Sequence, residues 1–197
     1  MPIAGLGTRM LPLTKVIPKA MLPVHDRPCV QWIVEELEAA GIKEIIFITS
    51  KGQESVQEYF THKTWYDEEL EARGKTEQAK RLEAIRNLAQ FHFVEQPEPL
   101  GDGHAILQAR SLIGSDESFL VIFGDCLYSG DEVIRKMKEA HEQTQHSIIA
   151  VQEVEPEEAQ NYGIITTKTD SDLFPIDSMV KKPAPDLPTG LPAVVGQ

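Results

Sequence analysis

Ala4-Gly5-Leu6-Gly7-Thr8-Arg9-Met10-Leu11-Pro12 leads on to Lys15, Pro18, Lys19 and Pro23. Two glycines, one residue apart, follow the short apolar start Pro2-Ile3-Ala4. A turn free of side chains lets backbone N–H groups approach an anion. Thr8 adds a hydroxyl, Arg9 a forked cation that matches phosphate oxygens, and Lys19 a point charge. Pro12, Pro18 and Pro23 stiffen the run, so its donors are partly ordered before anything binds. The stretch reads as a loop built to hold a polyphosphate. Two other phosphate loops fail on spacing: the dinucleotide fingerprint needs a third glycine where Met10 stands, and no Gly-Lys-Ser/Thr follows at the distance ATPases use. A lone Gly-x-Gly would also suit an ordinary turn with stray cations nearby. The length of the run argues against that.

The chain around this loop has 197 residues, enough for one core with a small appendage. Hydrophobic residues at 41% and charged ones at 25% describe a globular protein. The net charge of −12 argues against a nucleic-acid backbone or an anionic membrane as partner. Against that acidity, Arg9, Lys15 and Lys19 have no acidic residue among them until Asp26. Cys29 and Cys126 make no disulfide framework, which points to a reducing compartment. No apolar run spans a bilayer and the start lacks the regions of a signal peptide, so a cytoplasmic protein is expected.

Downstream, helix and strand patterns alternate. Pro28 to Gly41 reads as a helix with Val30, Ile33, Val34 and Leu37 on one face. Glu44 to Thr49 is a β-branched block suited to a strand covered on both faces. A helix is expected from about Gln53 to Phe60. Residues 61–90 form a dense mixed-charge stretch with a thin apolar stripe, predicting one or two surface helices interrupted near Gly74. An oligomer contact or a lid is one use for it; a solvated insertion packed on the domain is preferred. Phe91 to Gln96 predicts a strand, followed by a Pro/Gly loop and a helix from Gly103 or His104 to about Leu112. Phe119 to Phe123 predicts a buried strand ending in Gly124-Asp125, and Asp131 to Gln145 a helix. Strands are expected at Ser147–Val154, Ile164–Lys168 and Ile176–Lys182, with a turn at Thr169–Asp172 and a proline-broken tail. A loop that follows the carboxyl end of a strand is where open α/β sheets bind ligands.

Two further residues have chemistry to offer from their positions. Asp125, at the end of a strand beside Gly124, suits a Mg²⁺ that keeps several waters and bridges phosphate oxygens. A turn or helix-cap aspartate is the alternative, and the glycine loop tips the balance to the metal. Gln96 carries both donor and acceptors, as a base-reading residue needs; a surface glutamine is the alternative. His104 is read as an early helix residue rather than a base, because no serine or cysteine nucleophile motif stands near it.

The run Gly-Leu-Gly-Thr-Arg-Met-Leu-Pro-x-Thr-Lys-x-x-Pro-Lys-x-Met-Leu-Pro closely resembles the signature of bacterial UTP–glucose-1-phosphate uridylyltransferases, within the sugar-phosphate nucleotidylyltransferases. The resemblance extends along nearly all of the chain, and a charged insertion like 61–90 is typical of that branch. It implies an α/β, Rossmann-like three-layer nucleotidyltransferase fold, with a mostly parallel central sheet and helices on both faces. It implies one such domain over 1–197, cut short at both ends, with 155–197 as the part that binds the sugar phosphate. Nucleotide contacts fall on Ala4, Gly5, Gly7, Thr8, Arg9, Gln96 and Gly101; sugar-phosphate contacts fall on Gly163, Lys181 and Lys182. Arg9, Lys19 and Asp125 become the catalytic set, with Asp125 as a Mg²⁺ ligand. The implied substrates are UTP and glucose 1-phosphate, handled by an assembly of like chains. One position departs from the pattern. The family usually has glutamate before the phosphate-gripping lysine, but here Lys181 precedes Lys182. A lysine cannot accept hydrogen bonds from sugar hydroxyls, and it sets a like charge beside Lys182. Poor native affinity for glucose 1-phosphate is expected. The rival readings are a transferase of the same fold that uses dTTP, CTP or ATP, and a non-catalytic binder of nucleotide sugars.

Overall fold

The computed structural model describes residues 1–128, 132–155, 162–167, 172–181 and 191–194. Its packing divides the chain into two units, Met1–Ser129 and Gly130–Gln197.

In the first unit the opening residues run beside a strand that comes later in the chain. After them a short antiparallel hairpin, β1 (Pro23–Val24) with β2 (Arg27–Pro28), delivers the chain to helix α1 (Cys29–Ala39). Val30, Ile33 and Val34 are fully buried and Leu37 nearly so, the spacing that turns one helix face to a core. Strand β3 (Glu44–Thr49), helix α2 (Glu54–Thr61), helices α3 (Trp65–Ala72) and α4 (Thr76–Arg86), strand β4 (Gln90–Glu95) and helix α5 (Asp102–Gln108) complete the order. β3 and β4 pair in parallel, in register from Glu44 opposite Gln90 to Thr49 opposite Glu95. Phe47 holds this pair to α2: its ring stacks on Phe60 at 5.3 Å and on Phe93 at 5.2 Å, while Phe60 meets Phe91 at 4.8 Å.

The opening residues extend the parallel sheet. The Ile3 N–H donates to the Ile48 carbonyl at 2.8 Å, and the Ile48 N–H donates to the Met1 carbonyl at 2.9 Å. Residues from Gly5 onward therefore leave at the carboxyl edge of β3, where Ser50 and Gln96 also emerge.

The mixed-charge stretch folds as the spacing predicts, into α3 and α4 separated by Gly74. Asp67 ties the two together. Its carboxylate accepts from the Thr64 N–H at 2.9 Å, the Thr64 hydroxyl at 3.0 Å and the Arg86 guanidinium at 2.7 Å, and the residue is 2% exposed. Burial pushes its pKa up, but the Thr64 and Arg86 hydrogen bonds outweigh that and hold it below the ordinary value. A carboxyl depressed in the folded state adds stability above its unfolded pKa of about 3.9, and that stability is lost as pH falls through the lower folded value. Asp67→Ala strands a half-buried guanidinium and removes the cap of α3. A stability loss of about 3 kcal/mol is expected, read as a lower urea midpoint at unchanged slope. A midpoint that does not move would show that the pair contributes nothing to holding α3 on α4.

One expected strand is not laddered. Phe119–Phe123 runs without strand pairing, and a cavity of about 340 Å³ lies between it and β3, lined by Ile45, Ile46, Phe119, Leu120 and Ile122. Met1 bonds to the Ile46 carbonyl, and the opening residues lie opposite Ile46–Ile48. Gly124 ends the segment against Ile3; a Cβ there would lie 2.3 Å from an Ile3 methyl, so only glycine permits the approach.

Among its described residues the second unit holds helix α6 (Glu132–Thr144) and four strands: β5 (Val151–Val154), β6 (Gly163–Thr166), β7 (Ser178–Lys181) and β8 (Leu191–Val194). They form an antiparallel sheet ordered β5-β8-β6-β7, in contrast to the parallel pairing of the first unit. β5 begins at Val151 rather than at Ser147, and pairs Val151–Val154 with Val194–Leu191 of β8. β6 and β7 pair from Gly163 opposite Lys181 to Thr166 opposite Ser178. Residues 169–171 of the expected turn, Lys182, the proline tail 183–190 and 195–197 lie outside the described residues.

Candidate active site

The glycine loop starts where the opening segment ends. Ala4 is buried and Gly5 exposed, so the chain turns outward at once. Gly7 adopts φ 62°, and the Met10 N–H closes a 3-10 turn on its carbonyl at 2.9 Å. The same carbonyl accepts from the Thr14 hydroxyl at 2.9 Å. A side chain on Gly7 would meet a Thr14 methyl at 2.9 Å and the Lys19 Cβ at 3.1 Å, so the loop folds back on itself through this glycine. Among the described residues, the backbone N–H groups of Gly5, Leu6, Gly7, Thr8 and Arg9 find no acceptor. Thr8 and Arg9 are exposed, and the Arg9 guanidinium makes no hydrogen bond or ion pair among the described residues. Amide donors and a guanidinium without partners among the described residues have the chemistry to receive an anion.

Lys19 and Asp125 form an ion pair between the loop and the end of the Phe119–Phe123 segment. Their side chains are 37% and 47% exposed. A pair this open to water contributes about 1 kcal/mol at most, so either group can exchange its partner for a bound anion or cation at small cost. Near it, burial pushes the Cys126 thiol up to about 11, helped by the Asp125 charge, and burial raises Cys29 too. Both thiols stay protonated at neutral pH, which leaves neither as a nucleophile.

A metal has one candidate anchor here. Among the described residues no group of three or more His, Cys, Asp or Glu side chains could hold an ion. Asp125 alone, a hard and half-exposed carboxylate, fits Mg²⁺ as one ligand among waters and substrate phosphates.

Gln96 follows β4 and is 8% exposed; its backbone N–H donates to the Thr49 carbonyl at 2.7 Å. Its side-chain Nε2 donates to the Gly101 carbonyl at 3.1 Å and lies 3.2 Å from His104 Nδ1. Gly101, with φ 96°, precedes α5, and His104 stands in the first turn of that helix as expected. The contact of His104 with Gln96 is not legible in the sequence. The i,i+4 pair His104/Gln108 was the available signal, since Gln108 meets the ring's other nitrogen at 3.1 Å. In the second unit the register sets buried Gly163 opposite Lys181 across β6 and β7. Lys182 lies outside the described residues.

A parallel strand pair with helices, a glycine-turned cationic loop and an acid–base pair at its carboxyl edge together define an α/β protein of the Rossmann-like nucleotidyltransferase type. The chain belongs to the nucleotidyl transferase family, whose model matches residues 3–191. It is similar to the UTP–glucose-1-phosphate uridylyltransferase YngB of Bacillus subtilis, 39% identical over 198 residues, covering 100% of this chain and 66% of that one. Among solved structures it resembles a UTP-bound UGPase from Acinetobacter baumannii, with TM-score 0.91 and 33% identity, covering 99% of this chain and 70% of that one. It also resembles a UDP-glucose pyrophosphorylase complexed with UDP-glucose, with TM-score 0.82 and 36% identity, covering 99% and 72%. The chain spans 63 to 66% of the length of the first relatives it matches. No helix among the described residues is long and apolar enough to cross a membrane.

Proposed function

We propose that the chain makes UDP-glucose and pyrophosphate from UTP and glucose 1-phosphate. The five N–H groups from Gly5 to Arg9 and the Arg9 guanidinium, all without a partner among the described residues, carry this reading. A phosphate oxygen of the sugar phosphate attacks the α-phosphorus of UTP in line. The new P–O bond forms as the bond to the β-phosphate bridging oxygen breaks, and pyrophosphate departs with that electron pair. No covalent intermediate on the protein is needed. The chain's task is to place two anions against each other and to offset charge on the phosphoryl oxygens.

The loop amides, Thr8 and Arg9 hold the triphosphate. Lys19 leaves Asp125 for a phosphate oxygen, which frees the carboxylate as the anchor for Mg²⁺. When bound, Mg²⁺ neutralises phosphate charge and helps align the leaving group. Gln96, next to Gly101, reads the base. Gly163, Lys181 and Lys182 serve the sugar phosphate, with Lys182 gripping its phosphate. Assembly with like chains and a cytoplasmic setting belong to the same proposal.

The deciding experiment measures pyrophosphate release from UTP, Mg²⁺ and glucose 1-phosphate. Release that needs all three supports the transferase; none, with UTP still bound, leaves a binder. Competition by UTP, dTTP, CTP and ATP in thermal shift sorts the bases. Lys181 favours the binder as a second reading, since it puts a donor where an acceptor for sugar hydroxyls is wanted. Glucose 1-phosphate is accordingly expected to bind weakly, at near-millimolar Kd by calorimetry, and Lys181→Glu to tighten it about tenfold. A micromolar Kd in the unaltered chain would remove that expectation.

A further inference from the structure

We propose that Gln53 is a positioning residue whose carboxamide replaces a rung of the sheet and so leaves the first amide of the glycine loop open to a triphosphate; the proposal rests on the uridylyltransferase reading above. The opening residues run parallel to β3, and the Ile3 N–H donates to the Ile48 carbonyl at 2.8 Å. A parallel ladder continues by a fixed rule, in which a residue of one strand bonds to the two residues that flank its neighbour on the other. The next rung would run from the Ser50 N–H to the Ile3 carbonyl, and the one after from the Gly5 N–H to the Ser50 carbonyl. Among the described residues neither is present. The Ser50 N–H donates instead to Gln53 Oε1 at 3.0 Å, and Gln53 Nε2 donates to the Ile3 carbonyl at 2.9 Å. One carboxamide is thus inserted between the donor and the acceptor of the missing rung.

Both ends of that carboxamide meet backbone groups of opposite kind, an N–H and a carbonyl, so its orientation has one solution. Gln53 is 7% exposed, and its bond to Ile3 is buried. The main chain of the same residue completes the arrangement. The Gln53 N–H donates to the Ser50 carbonyl at 3.2 Å, closing a turn in which Gly52 takes φ 87° on the way into α2. Ser50 is therefore withdrawn from the ladder through both its N–H and its carbonyl. The Gly5 N–H, which would have met that carbonyl, has no acceptor among the described residues. The chain turns outward at this point, from buried Ala4 to exposed Gly5. Gln53 holds the root of the loop at Ile3 and sets it one amide group away from β3, so the amides from Gly5 to Arg9 remain donors instead of continuing the sheet. It acts on nucleotide binding through the loop without touching the nucleotide.

The test uses the full chain with Gln53→Met, which keeps the length of the side chain and loses both bonds, and Gln53→Glu, which keeps an acceptor for Ser50 but, as a carboxylate, has no donor for Ile3. The readout is the split between KM and kcat. KM for UTP is expected to rise about tenfold in both variants, with KM for glucose 1-phosphate within about twofold of the unaltered chain. A merely structural loss lowers the folded fraction, which cuts kcat and leaves both KM values in place. That pattern overturns the proposal, as does an unchanged KM for UTP. Hydrogen exchange in the unaltered chain without ligand gives a readout that needs neither activity nor a variant that folds. One Gln53 carboxamide proton and the Ser50 N–H are expected to exchange slowly; exchange as fast as that of an exposed glutamine side chain overturns the proposal. A chain that releases no pyrophosphate with any nucleotide would defeat the uridylyltransferase reading. Calorimetry with inorganic tripolyphosphate then decides the positioning role: binding about tenfold weaker in Gln53→Met supports it, and equal affinity overturns it.

Discussion

Arg9→Ala is expected to lower turnover about 10²–10³-fold while leaving the melting temperature in place, because one preorganised charge on a phosphoryl oxygen is worth about that much in a transition state. The two halves of the expectation have separate grounds. Arg9 is exposed and its side chain makes no bond among the described residues, so deleting it removes no packing and strands no partner. The loop shape is set elsewhere, by Gly7 at φ 62°, the Met10 N–H and the Thr14 hydroxyl. What the substitution removes is the forked cation at the end of five free amide donors. Arg9→Lys should recover part of the loss, since a point charge keeps the attraction without the paired geometry. Turnover unchanged in Arg9→Ala would move the triphosphate away from this loop and with it the whole assignment.

The second large effect concerns Asp125. Asp125→Asn keeps the volume and removes the charge, and pyrophosphate release is expected to fall about 10²–10³-fold, with no recovery at high Mg²⁺. Stability should hardly change. The ion pair with Lys19 is half exposed on both sides and worth about 1 kcal/mol at most, so its loss is a small part of folding. Nucleotide binding without metal gives the opposite sign: Lys19, released from its partner, is expected to hold the triphosphate slightly more tightly. If instead the variant lost stability and kept its turnover, Asp125 would be a turn residue, the alternative its position first allowed.

Helix α1, strands β3 and β4 and the split of the charged insertion at Gly74 could all be read in advance, because each is written in local periodicity and in a breaker. β3 holds the continuous apolar run Ile45–Ile48, α1 carries a helical stripe, and α3 and α4 part where a glycine takes φ 67°. The Phe119–Phe123 run has the same apolar pattern and is not laddered. A strand's composition reports burial, whereas its pairing depends on which backbone lies alongside it. The antiparallel sheet of the second unit escaped for a related reason: short strands carry no mark of direction or neighbour order.

By itself the sequence determined the residue types and local turns of the candidate site: a glycine loop rich in donors, a cation at Arg9, an acid at the end of an apolar run. Those follow from spacing along a few neighbouring residues. Tertiary structure alone decided who meets whom. It brought Lys19 onto Asp125 across 106 positions, set Gly163 opposite Lys181, and turned His104 toward the amide of Gln96. Such pairings depend on how strands and helices pack in three dimensions, and no local pattern in the chain encodes that distance.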